Sequence, residues 1–201
     1  MLVQDEVREK EFMEELVRQG GEQLRDFIRA CYQCGTCSGG CPTSYAMDFT
    51  PRQIVRMVQF GMQREVLSSL TLWLCASCFS CVTSCPRRVE IPRLMYTLKN
   101  IAIKRGVAAK AAPEAWFYLS FLSILSKYGR MNEFELMKEF KSREGLLKAA
   151  LEEGLPGLKL LLRGKFKLRP ERIRQMEHME VILGPVREGL EEWRRRSRGR
   201  E

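Results

Sequence analysis

With 201 residues, 45% of them hydrophobic, the chain is long enough for one packed domain or a small domain with an extension. Its 34 Lys and Arg against 25 Asp and Glu give a formal net charge of +9. The two signs are interleaved through most of the chain, which argues against a nucleic-acid-binding surface and for acidic partner faces. The longest mostly apolar stretch, Ala115 to Leu125, is too short to span a bilayer. The opening Met-Leu-Val-Gln-Asp-Glu does not read as a signal peptide, which points to a reducing, cytoplasmic setting for the eight cysteines.

Taken in order, residues 5–18 carry a partial helical stripe of Val7, Phe12, Met13, Leu16 and Val17, interrupted by Gly20-Gly21. Leu24, Phe27, Ile28 and Cys31 follow at i, i+3, i+4 and i+7, a short helix that runs into the first cysteine loop. Thr50-Pro51-Arg52-Gln53 is a helix start: Thr50 as N-cap, Pro51 as first helical residue, Gln53 closing a capping box. Ile54, Met57 and Val58 face inward and Gly61 stops the helix. Residues 63–74 read as one helix, with Val66, Leu67, Leu70 and Leu74 apolar, delivering the chain to Cys75. Pro92-Arg93 repeats the Pro-Arg start, and that helix runs to about Arg105, with Gly106 as the stop.

Beyond it, Pro113 opens an apolar helix ending near Lys127, and Asn132 caps one through Ser142. Residues 143–163 hold leucines at helical spacing, broken near Gly154 to Gly157. Arg163 to Pro170 reads as an exposed basic loop, and a final helix covers Val186 to Ser197. The expectation is a mainly α chain: N-terminal helices over 1–30, a cysteine-bearing module over 31–106, and a helical extension over 107–201 that depends on a partner for burial.

All eight cysteines fall in two runs, Cys31-x2-Cys34-x2-Cys37-x3-Cys41-Pro42 and Cys75-x2-Cys78-x2-Cys81-x3-Cys85-Pro86. Cys75 follows Cys31 by 44 positions, as Cys78 follows Cys34, Cys81 follows Cys37 and Cys85 follows Cys41. This is the spacing of bacterial two-cluster ferredoxins, in which the fourth cysteine ligates the other cluster. Carried over, Cys31, Cys34, Cys37 and Cys85 hold one [4Fe–4S] cluster, and Cys75, Cys78, Cys81 and Cys41 a second. The C-x3-C-P step agrees, since proline fixes φ and turns the chain away. Zinc sites take cysteines as separated pairs, and four disulfides suit a short secreted chain. Gly35, Gly39 and Gly40 of the first loop stand opposite Phe79, Thr83 and Ser84 of the second, so one cluster site should be open and the other apolar. Two oxidised clusters at about −2 each bring the holo protein near +5.

Other features carry less. Met57 and Met95 lie on helical stripes and read as core rather than as haem or copper ligands. His178 is the only histidine, which leaves no bis-histidine haem within the chain. Arg87 and Arg88 read either as a solvated pair or as charges that raise a nearby cluster's potential or dock a partner. There is no Gly-x-Gly-x-x-Gly, no P-loop and no spare thiol.

The sequence resembles the C subunit of heterodisulfide reductase, the small iron–sulfur component of that complex in methanogens and related organisms. The likeness rests on Cys31-Tyr-Gln-Cys-Gly-Thr-Cys-Ser-Gly-Gly-Cys-Pro, on Leu72-Trp73-Leu74-Cys75, on Tyr128-Gly-Arg-Met-Asn-Glu and on the segment from Arg163 to Pro170, and so extends over most of the chain. It implies an α-helical ferredoxin-type dicluster fold with a helical C-terminal extension. It implies an electron-transfer subunit of an oxidoreductase complex with no active site of its own. Its two [4Fe–4S] clusters would relay electrons from a flavin- and iron–sulfur-containing A subunit to a catalytic B subunit with CCG motifs. A hydrogenase or formate dehydrogenase module would join through the A subunit. The alternative is an iron–sulfur subunit of another dehydrogenase or reductase, glycolate- or fumarate-linked, since the cysteine spacing is shared with those.

Overall fold

In the computed structural model the described residues, 2–107, 113–141, 163 and 169–198, form helices and turns, with no strand among them. The fold class read from the sequence, mainly α, therefore stands. The chain divides into two compact units, Met1–Ala112 and Pro113–Glu201.

In the first unit, α1 (Leu2–Gly20) and α2 (Gln23–Ala30) meet at Gly21, whose φ of 86° is a left-handed value that glycine adopts freely. The corner is tight. A Cβ on Gly20 would lie 2.5 Å from Leu24 Cδ2 and 2.7 Å from Thr97 Oγ1. The chain then makes the one-turn helix α3 (Thr36–Gly39), a 3₁₀ turn (Ser44–Ala46), α4 (Pro51–Gln59), α5 (Gln63–Ser68), α6 (Thr71–Leu74), the one-turn α7 (Ser80–Thr83) and α8 (Ile91–Lys104). Helix α8 touches α1, α5, α6 and α7, and its Leu94, Met95, Leu98 and Ile101 are buried in a core shared with Phe12, Leu16, Leu24, Ile54, Leu67 and Leu72. The Arg93 guanidinium donates from Nε to the Gly20 carbonyl (3.0 Å) and from Nη1 to Gln23 (3.0 Å), which fixes the start of α8 to the α1–α2 corner.

The helix signals act as their chemistry dictates. Gln53 Oε1 accepts the Thr50 amide (2.8 Å) and hydroxyl (2.9 Å), and Pro51 opens α4. Helices α4 and α8 end in the same closing turn. Gly61 (φ 65°) and Gly106 (φ 67°) bend back, so that the Met62 amide reaches the Met57 carbonyl and the Val107 amide reaches that of Ala102. One expectation is corrected. Residues 63–74 are not a single helix: α5 stops at Ser68 and α6 starts at Thr71. The reason is a carboxylate from elsewhere in the sequence, Asp48, which accepts the Leu70 and Thr71 amides (2.9 Å each) that a continuous helix would use.

In the second unit, α9 (Pro113–Tyr128), α10 (Glu133–Lys141) and α11 (Met176–Arg198) carry the described structure. Ala115, Leu119 and Ile124 of α9 are buried, as are Met176, Leu183, Leu190 and Trp193 of α11, and Trp116 and Trp193 lie 5.0 Å apart between ring centroids. Asn132 Oδ1 accepts the Glu135 amide (2.9 Å), the expected cap of α10. The last helix begins ten residues before the expected Val186 and runs through Pro185. The buried stripe at 176, 183 and 190 continues across the proline, so burial outweighs the lost backbone hydrogen bond. Expectations for 142–162 and for most of 163–170 lie outside the described residues.

Candidate iron–sulfur centre

The two cysteine runs fold alike at the 44-residue offset. Cys31 and Cys75 each end a helix in extended backbone (φ −72°, ψ 111° and φ −64°, ψ 109°). Gln33 and Ser77 are both left-handed (φ 66° and 52°), and so are Gly35 and Phe79 (φ 86° and 62°). The Gly35 carbonyl accepts the amides of Ser38 and Gly39; the Phe79 carbonyl accepts those of Val82 and Thr83. A left-handed conformation costs an L-residue about 1–2 kcal/mol, and nothing at glycine, so the second loop keeps the shape of the first at an energetic cost.

The thiol environments repeat as well. Cys34 Sγ lies 3.4 Å from the Thr36 hydroxyl and Cys78 Sγ 3.5 Å from that of Ser80. Those hydroxyls, and the amides of the same two residues, favour thiolate and hold both thiols below the usual cysteine value. Cys37 and Cys81, one turn on, move the other way. Burial is the main cause for both. It raises Cys37, with Cys31 and Cys34 adding to the shift, and it pushes Cys81 up to about 11, with Cys75, Cys37 and Cys78 adding. Each loop thus has an exposed sulfur already biased to thiolate and a buried or partly buried one (Cys37 and Cys81) that favours the ionised state only once a cation offsets its burial.

The runs also reach across to each other. Cys41, from the first run, lines one cleft together with Cys75, Cys78 and Cys81 of the second, and Met47, Phe79, Ile91, Pro92 and Met95 give that cleft apolar walls. On the other side, the Tyr32 phenol is raised by desolvation and then by the negative charge of Cys34 and of Cys85, so a sulfur of the second run stands near the first loop. The Val89 amide donates to Cys85 Sγ (3.3 Å), and the one-turn helices α3 and α7 touch. Cys31, Tyr32 and Gln33 border an open cleft with Arg52 and Arg56. The Arg52 side chain lies beside this loop, its Cδ 3.7 Å from where a Cβ on Gly35 would be, an ordinary contact distance. The expected difference between the two environments is present: one loop is glycine-bearing and arginine-lined, the other apolar.

The donor set fits the cofactor that the spacing implies. Thiolate is the ligand of iron–sulfur clusters, and a [4Fe–4S] cube takes one at each of four separate corners. Among the described residues no three His, Cys, Asp or Glu side chains converge where a single metal ion would sit. The four sulfurs of the cleft border a common space instead.

Two residues near the cysteines went unremarked in the sequence. Asp48 stands after Cys41, and its carboxylate accepts the Ser69 hydroxyl (2.8 Å), the Thr71 hydroxyl (2.7 Å) and the Leu70 and Thr71 amides. It ties the segment leaving Cys41 to the helix that delivers Cys75. Its desolvation raises its pKa, but the hydrogen bonds together outweigh this and hold it below the usual carboxylate value. Lys99 is only 8% exposed, with Nζ 5.9 Å from the Trp73 ring centroid and 5.6 Å from that of Tyr96. Burial lowers its pKa and Cys75 raises it. Nothing local marks Asp48 for this role, since the Ser69, Leu70 and Thr71 groups it binds are more than 20 positions away. Lys99 could have been found: it falls four residues after Met95 on the apolar stripe of α8.

Comparison with known proteins points to the same class of cofactor. Residues 27–89, which contain all eight cysteines, match the family model described as a 4Fe-4S dicluster domain. The C subunit of the H(2):CoB-CoM heterodisulfide,ferredoxin reductase of Methanothermobacter marburgensis is 40% identical over 103 residues, 51% of this chain and 54% of that one. The iron-sulfur C 2 subunit of the CoB–CoM heterodisulfide reductase of Methanocaldococcus jannaschii is 40% identical over 111 residues, 53% and 59% of the two chains. The corresponding iron-sulfur C subunit of Methanopyrus kandleri is 43% identical over 84 residues, 42% and 44%. The chain spans about half the length of the curated relatives it matches, and about half of this chain is covered, less than the resemblance drawn from the sequence took in. No helix among the described residues is long and apolar enough to cross a membrane. Over about half of its length this chain is thus similar to iron–sulfur C subunits of heterodisulfide reductases, and its cysteine-bearing segment matches a 4Fe-4S dicluster domain.

Proposed function

We propose that this chain is the electron-transfer subunit of a heterodisulfide reductase complex in the cytoplasm, standing between an A-type flavin and iron–sulfur subunit and a B-type CCG subunit. Cys31, Cys34, Cys37 and Cys85 hold one [4Fe–4S] cluster, and Cys75, Cys78, Cys81 and Cys41 hold the other. When bound, each cluster accepts and releases one electron at a time. The observation that carries the reading is the shared cleft of Cys41 with Cys75, Cys78 and Cys81, which is the crossed grouping that two-cluster spacing implies.

The chain's own residues have defined tasks in this role. Cys34 and Cys78, beside the Thr36 and Ser80 hydroxyls, are held toward thiolate, the form that ligates iron. Asp48 holds the two loops in the register that crossed ligation needs, and Met47, Ile91, Pro92 and Met95 keep water from one side of the cleft. With every cysteine assigned as a ligand, none is left to attack a disulfide, so that step belongs to the partner.

The test is reconstitution with a reduced dye as donor. The isolated chain is expected to be reduced and reoxidised but to leave a heterodisulfide intact. Activity should appear only with a CCG-type partner and fall when Cys34 or Cys78 is replaced. Substantial disulfide reduction by this chain alone would overturn the reading.

A further inference from the structure

The second cysteine loop keeps a bulky side chain where its twin has glycine. Phe79 occupies the position of Gly35, with the same left-handed backbone and the same carbonyl accepting the next two helical amides. A residue other than glycine at that φ is strained, and a large aromatic one is among the least suited to it. The first loop shows that the turn itself needs no side chain there. The ring is therefore not required for the shape of the loop, and a reason for it must be sought in what it touches.

It touches the cleft. Phe79 lines the space bordered by Cys41, Cys75, Cys78 and Cys81, yet it is 54% exposed, so it lies between that space and solvent. The other large apolar side chains of the cleft belong to different elements: Met95, Ile91 and Pro92 come from α8, Pro51 from α4, and Met47 from the turn after Cys41; Ala76, in the same loop as Phe79, adds only a methyl group. Of these, Pro51, Ile91, Pro92 and Met95 are buried and Met47 is partly exposed, so Phe79 is the largest apolar wall that faces outward. At the twin position the Arg52 side chain lies nearest Gly35, and the adjoining cleft is open and bordered by Gln33, Arg52, Gln53 and Arg56. The loops share a backbone and differ in their cover.

We propose that Phe79 is a lid: a specificity-determining side chain, held in a strained conformation, that screens the cluster bound by Cys41, Cys75, Cys78 and Cys81 from water and small oxidants. This deepens the electron-transfer reading and rests on it. A low-polarity cover disfavours the additional negative charge of the reduced cluster, so the ring holds that site's reduction potential below the value it would have with glycine. It also limits access of oxygen to the sulfurs beneath it.

The experiment compares the full-length, iron-loaded chain with Phe79→Gly, Phe79→Asn and Phe79→Tyr. Both glycine and asparagine accept the left-handed backbone without the ring, whereas tyrosine keeps the ring. Iron content, unfolding temperature, the reduction potentials of the clusters by spectroscopic titration, and bleaching of the visible absorbance in air are measured on each. The expected result is full iron and an unfolding temperature that is unchanged or raised in Phe79→Gly. One of two potentials should move upward, by about tenfold in the reduction equilibrium or 59 mV for one electron. One of two bleaching phases should be several-fold faster, and Phe79→Tyr should behave as the parent. Full iron with unchanged potentials and bleaching in Phe79→Gly and Phe79→Asn would overturn the lid while leaving the cluster assignment intact. Loss of the cluster under nitrogen in both would make the ring structural and overturn the lid as well. A parent chain that takes up no iron would overturn the assignment itself, and the lid with it.

Discussion

At the scale of single residues, the site is built from sulfurs whose acidities differ by position rather than by residue type. Cys34 and Cys78 sit beside a hydroxyl and an amide, while Cys37 is buried and Cys81 partly buried, each with other cysteines near it. The crossed grouping makes a sharp prediction. Cys41→Ser should damage the cluster held by Cys75, Cys78 and Cys81 and spare the one next to it in sequence, as read by the spectrum that survives. Loss of the Cys31, Cys34 and Cys37 signal instead would mean that each run closes its own cube.

Asp48 supports a second prediction at this scale. Asn keeps one acceptor oxygen but turns a donor toward the Leu70 amide or the hydroxyls, so Asp48→Asn should destabilise the protein by about 1 kcal/mol, a modest value because the residue is exposed and screened. The folded pKa of Asp48 is depressed, so its contribution is complete above the ordinary carboxylate value of about 3.9 and is lost as the pH falls through the lower folded value. The difference between parent and variant in unfolding temperature should therefore be flat near neutrality and shrink in acid below about pH 4. A difference that grows in acid would show that the carboxylate does not act as an ionised acceptor.

At the scale of elements, α8 is the piece against which the first unit is assembled, and the α1–α2 corner is where it fits most closely. Gly20→Ala places a methyl group against Leu24 and Thr97, and α1 and α8 cannot part without breaking the Arg93 bond to the Gly20 carbonyl. The expected destabilisation is about 1–3 kcal/mol by overpacking, seen as a lower urea midpoint with an unchanged slope. An unchanged midpoint would mean that Leu24 and Thr97 can move aside.

Local signals account for what was readable among the elements. Thr50-Pro51-Arg52-Gln53, Gly61, Gly106 and Asn132 act through neighbours within a turn, and each behaves as its chemistry dictates. Two features failed for non-local reasons. The break between α5 and α6 depends on Asp48, over 20 positions earlier, and the passage of α11 through Pro185 depends on a stripe that begins at Met176. In the site, the 44-residue repeat exposed the cysteines and the contrast of Gly35 with Phe79. It could not show that Phe79 adopts glycine's conformation, because that follows from the fold of the loop and not from the residue's own preference.

At the scale of the whole molecule, two loops of one shape carry eight sulfurs, and the surroundings of those loops make their two sites chemically unequal. The net charge of +9 counts neutral thiols, so ligation of two clusters brings it near +5 and leaves a mildly basic protein suited to acidic partner faces. Because ligation free energy adds to folding free energy, removing the iron with a chelator should lower the unfolding temperature of the first unit, measured as the loss of its helical signal. As proposed, this chain carries two cubic clusters, one in each crossed set of cysteines. Chemical analysis of iron and acid-labile sulfide in the anaerobically purified or reconstituted chain tests it most directly. The account predicts about eight of each per chain, and about four of each, or zinc in place of iron, would contradict it.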